Sequence, residues 1–146
     1  MPKWLKVVLV LLVMGALGLG TCIGGVTWWV TSNKDKMVDG VRTARVEGEA
    51  FGRAHSKTDC VDDALTHVKS CGPVDFMCEA FTKMRLASCM SVAAGDDVCK
   101  DVPARTEIVK SALWANAECS RRGEDGSQPC GRLMQAVVEG CDATAR

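Results

Sequence analysis

Eight cysteines from Cys60 to Cys141 follow one another with 10, 6, 10, 9, 19, 10 and 10 residues between neighbours. Eleven steps along an α-helix make three turns plus ~20°, so cysteines with ten residues between them share a helix face about 16.5 Å apart. Cys60/Cys71, Cys78/Cys89 and Cys130/Cys141 are helical pairs of this kind. Two such helices lying antiparallel oppose their cysteines at both ends. The spacing therefore predicts Cys71–Cys78 across the turn and Cys60–Cys89 at the far end. In the second half, Cys119 and Cys130 flank the loop Ser120–Pro129 and would close it. Stepping eleven residues back from Cys119 reaches Ile108, near the start of its helix, so Cys99 in the entry segment is the expected partner of Cys141.

An even set of cysteines with no Cys-x-x-Cys reads as a disulfide framework in an oxidising compartment. Structural zinc sites show cysteine pairs two to four residues apart, and this chain has none. The arrangement is similar to the twin Cys-x9-Cys helical hairpins of the mitochondrial intermembrane space. Here the intervals hold ten residues rather than nine, and an apolar segment precedes them. The resemblance therefore implies architecture only, and no function is carried across.

Helix punctuation agrees with this plan. A first helix is expected over 36–70, broken near Ser56-Lys57-Thr58-Asp59, a capping signature, and stopped by Cys71-Gly72-Pro73. A second runs over 74–94 to Gly95. Prolines at the first helical position open helices over 103–121 and 129–143, with Gly123 as terminator of the third. Val61, Ala64, Leu65 and Val68 repeat at helical intervals beside Cys60, as do Leu133, Met134, Val137 and Val138 beside Cys130. Ile108, Ala112 and Ala115 lead towards Cys119 as a third apolar face, and Trp114 is expected as a core anchor. Strand alternation is missing.

The segment 4–30 reads WLKVVLVLLVMGALGLGTCIGGVTWWV, with no charge from Val7 to Val30. Those 24 residues make about 36 Å of helix, enough to cross a hydrocarbon core of ~30 Å. Trp4 at one end and Trp28 and Trp29 at the other match interfacial belts. We read a single transmembrane helix, in contact with the bilayer through residues 5–30. Rival readings are a cleaved signal peptide ending near Gly18-Leu19-Gly20, and a lipoprotein acylated at Cys22 after Leu19-Gly20-Thr21. Ala16, Gly20 and Gly24 are spaced by four, the small-residue pattern with which membrane helices pack, and are the candidate homodimer contact. Lys3 and Lys6 precede the run, while Lys34, Lys36, Arg42 and Arg45 follow it, so flanking charge does not fix the orientation. The cysteines place the remainder outside the cytoplasm, periplasmic or extracellular.

Eighteen basic and eighteen acidic residues cancel, and a chain with no positive excess is poorly suited to nucleic acid. Asp59, Asp63, His67 and Cys71 are spaced by four; a metal ladder is the sharp reading, a solvated face with an Asp63/His67 pair the plain one. No catalytic constellation, cofactor motif or calcium loop is present in the sequence. Asp62/Asp63 and Asp96/Asp97 are expected as solvated caps. Gly40, Ala44, Gly48 and Gly52 also recur every four residues, a surface on which another helix could lie very close at 44–52; the other reading is a flexible stalk.

The expected fold is all-α: a transmembrane anchor over 1–31, a helical or flexible stalk over 32–56, and a disulfide-stapled bundle of about four helices, two antiparallel hairpins, over 57–146. The expected function is a membrane-anchored extracytoplasmic module with a structural or protein-interaction role, non-enzymatic and free of cofactors and metals. Alternatives are a secreted or lipid-anchored binding protein, and a thiol-redox or metal-handling protein.

Overall fold

In the computed structural model, residues 3–72, 74–95 and 97–144 are described, with side chains for 27–28, 30–72, 74–95 and 97–142. The chain divides into two units, Met1–Asp39 and Gly40–Arg146, each taken by itself. Helix α1 (Lys3–Gly52) supplies the first unit and the opening of the second. The transmembrane reading of 5–30, the contact trio Ala16, Gly20 and Gly24, and the acylation candidate Cys22 fall almost wholly on side chains outside the described residues. Among the described residues, no helix is long and apolar enough to cross a membrane.

The second unit is helical throughout its named elements: α2 (Lys57–Ser70), α3 (Phe76–Val92), a 3-10 turn (Asp97–Cys99), α4 (Ile108–Arg121) and α5 (Gln128–Thr144). Among the described residues β-pairing is confined to one isolated bridge, Ser56 with Ala94. The break between α1 and α2 falls at Ser56. Its hydroxyl accepts the Asp59 N–H at 3.2 Å, and the Asp59 carboxylate accepts the Ser56 N–H at 2.9 Å. This reciprocal box satisfies amides that a helix start otherwise leaves unpaired.

Helix α5 is the centre. It packs against α2, α3 and α4, and its Leu133, Met134 and Val137 are fully buried. Val61, Ala64, Leu65 and Val68 of α2, Leu86 and Met90 of α3, Trp114 and Ala115 of α4 and the buried cysteines complete the core. Gly123 takes φ +72° directly after α4. Its N–H reaches the Ser120 carbonyl and the Glu124 N–H the Cys119 carbonyl, the paired bonds of a left-handed helix stop that glycine accommodates without a Cβ clash.

Residues 40–52, for which the sequence offers both a close helix contact at 44–52 and a flexible stalk, lie against α3. A Cβ on Gly48 would stand 2.3 Å from the Arg85 carbonyl oxygen, and one on Gly52 2.4 Å from that of Cys89. The small residues therefore let the helix backbones approach, and the close second helix belongs to this chain. The third helix opens at Ile108, not Pro103. Before Ile108 the chain turns instead through Val102 N–H to the Cys99 carbonyl and Glu107 N–H to the Ala104 carbonyl. Ile108 and Ala112 are exposed rather than buried, and Trp114, Ala115, Glu118 and Cys119 form the inward face of α4. The 3-10 turn packs on α5 and carries Cys99, the partner of Cys141.

Candidate interaction surface

The structure joins Cys60 to Cys89, Cys71 to Cys78, Cys99 to Cys141 and Cys119 to Cys130, with Cα–Cα distances of 5.8, 5.7, 5.4 and 6.0 Å. These are the four pairs that the helical spacing selects. The α2/α3 hairpin is bridged at both ends. The α4/α5 hairpin is bridged at its turn, and α5 is tied at its other end to the 3-10 turn.

Ion pairs lock the hairpins to their neighbours. Arg85 of α3 reaches Asp63 of α2 at 2.9 Å and Glu47 of α1 at 2.5 Å. Arg122, at the end of α4, binds Asp62 of α2 at 2.9 Å and Glu118 within its own helix. Burial works against the Arg122 charge, but its hydrogen bonds to Asp62 and Glu118 outweigh that cost and raise its pKa. Glu118 is buried and also accepts from Arg121 at 2.6 Å, so both carboxylate oxygens are paired. Arg132 of α5 donates to Glu79 of α3 at 2.8 Å, and that bond holds the Glu79 pKa below its ordinary value. Asp62, though exposed, and Asp63 are thus cross-helix partners rather than caps. The sequence carried no signal for these pairs beyond the presence of charge.

The ladder Asp59, Asp63, His67 and Cys71 is distributed among other tasks. Asp59 caps α2, Asp63 takes Arg85 and stands 3.7 Å from His67, and Cys71 is in a bridge. Among the described residues, no group of three or more His, Cys, Asp or Glu side chains is placed to hold a metal ion.

One helix departs from the usual division of faces. Helix α4 packs on α5, yet it also turns apolar residues outward: Val109 is 72% exposed and Leu113 65%, with Ala112 and Ala117 beside them and Ile108 exposed at the helix start. Val109, Leu113 and Ala117 lie four apart and follow one face. Large apolar side chains grouped on a surface mark contact sites more often than ones scattered singly. The sequence carries this i, i+4, i+8 repeat together with a second apolar face on the same helix, the one that holds Trp114.

Comparison with protein-family models, with curated proteins and with solved structures finds no match to this chain.

Proposed function

We propose that this chain is a single-pass membrane-anchored module whose helical unit stands outside the cytoplasm and binds a partner protein, without catalysis. The observation that carries the interaction role is the outward apolar face of α4 on a scaffold riveted by four disulfides. A rigid amphipathic helix offers i, i+4 anchors to a partner helix with little ordering cost. The anchor rests on sequence: the uncharged run from Val7 to Val30 and its flanking tryptophans. The extracytoplasmic side rests on the eight paired cysteines, since bridges of this kind persist in oxidising compartments.

A photo-crosslinking residue at Leu113 of the full chain in its own membrane tests the surface, with the same residue at exposed Asp125 as control. The reading predicts a discrete adduct with another protein from position 113 and none from 125. No adduct from 113, or equal labelling from both, contradicts it. An adduct of doubled mass would make the partner a second copy. Protease added outside sealed membranes should digest the helical unit only after reductant is supplied; complete protection would place it on the other side.

A further inference from the structure

We propose that Cys71–Cys78 is a thiol–disulfide exchange site, open to a protein or small molecule carrying a reactive dithiol, while the other three bridges are structural. The two classes differ in burial. Every other bridge has at least one cysteine below 8% exposure: Cys60 and Cys89, Cys119 and Cys130, and Cys141. Neither Cys71 nor Cys78 is buried.

Cys71 also lines a small cleft of about 60 Å³ with Val68, Phe76, Glu79 and Arg132. That is several times the ~10–15 Å³ one water requires, so the cleft takes small molecules beside Cys71. Beside the bridge, Val74 in the turn and Phe76 at the start of α3 are 77% and 76% exposed, an apolar handle next to the sulfurs. Cys78 lies in the first turn of α3, where the helix end favours a leaving thiolate. Asp75, which accepts the Cys78 N–H at 2.9 Å, works against that effect. Opening this bridge leaves the hairpin closed at its far end by Cys60–Cys89 and filled by Val61, Leu65 and Leu86.

One thiolate of the dithiol attacks Cys71 Sγ, the Cys71–Cys78 bond breaks, and Cys78 leaves as thiolate. The second thiolate attacks its own partner sulfur in the mixed disulfide and expels the Cys71 thiolate. Two electrons pass to the chain, the two protons of the dithiol go to Cys71 and Cys78, and the donor becomes a disulfide. The reverse step re-forms the bridge.

The test is graded dithiothreitol on the full chain in detergent without denaturant, quenched by alkylation and mapped by mass spectrometry. Cys71 and Cys78 should be alkylated about tenfold faster than any other pair, with helicity retained. Glutathione should trap an adduct on Cys71. A Cys71→Ser/Cys78→Ser double variant should fold and lack the fast phase. Another bridge opening first or at the same rate, or helix lost as Cys71–Cys78 opens, overturns the proposal; an adduct on Cys78 alone overturns the direction of attack.

Discussion

At Gly48 a single methyl group is enough to test how the second unit is packed. The Cβ of alanine there would meet the Arg85 carbonyl oxygen, a backbone atom that moves only if α3 moves. Gly48→Ala should cost about 1–3 kcal/mol in chemical denaturation, as overpacking does. Gly131, in α5, has open space where its Cβ would go. Gly131→Ala should therefore gain about 0.5–1 kcal/mol from helix propensity alone. Opposite signs for one chemical change would separate close packing from backbone freedom.

The α2 cap sets a second residue-scale expectation. The Ser56 hydroxyl and then the Ser56 N–H hold the Asp59 carboxyl below its ordinary value of 3.8. A depressed carboxylate contributes stability that is present above its unfolded pKa and lost as the pH falls through the folded one. Ser56→Ala should lower stability at neutral pH by about 1 kcal/mol and leave less to lose on acidification below pH ~4. Denaturation midpoints at pH 7 and pH 3 check it; an undiminished acid loss in the variant contradicts it.

Among the elements, α4 makes the clearest demand. Trp114→Ala should destabilise the unit by about 3–5 kcal/mol, because the indole is 9% exposed on the inward face. Leu113→Ser, on the neighbouring residue, should change thermal stability by less than about 0.5 kcal/mol. A large loss at Leu113 would mean that its side chain is covered within the fold. The same helix shows where sequence reading stopped. Cysteine spacing fixed the register of α2, α3 and α5, because two sulfurs on one face leave no freedom to rotate it. Helix α4 carries Cys119 alone, so Ile108, Ala112 and Ala115 leave its rotation open, and only Ala115 of the three lies on the inward face. The Ser56–Asp59 break and the Gly95 and Gly123 stops were legible because their chemistry is local. The Arg85 and Arg122 bridges were not, because they join residues 22 to 60 positions apart.

At the scale of the second unit, covalent links add to a compact helical core. Loop closure in the unfolded chain gives about 2.4 kcal/mol for the 7-residue span of Cys71–Cys78 and about 3.6 kcal/mol for the 29-residue span of Cys60–Cys89. Removing the first pair should thus be tolerated better than removing the second, whose sulfurs are also buried in the core. Thermal melts of the two double-serine variants order them; equal losses would contradict the ranking. The account as a whole depends on the sulfur pairing. Freshly isolated full-length protein, alkylated before digestion and mapped without reductant, should yield four linked peptide pairs: 60 with 89, 71 with 78, 99 with 141 and 119 with 130. Alkylated thiols at the buried positions, or any exchange of partners between the two hairpins, would contradict it.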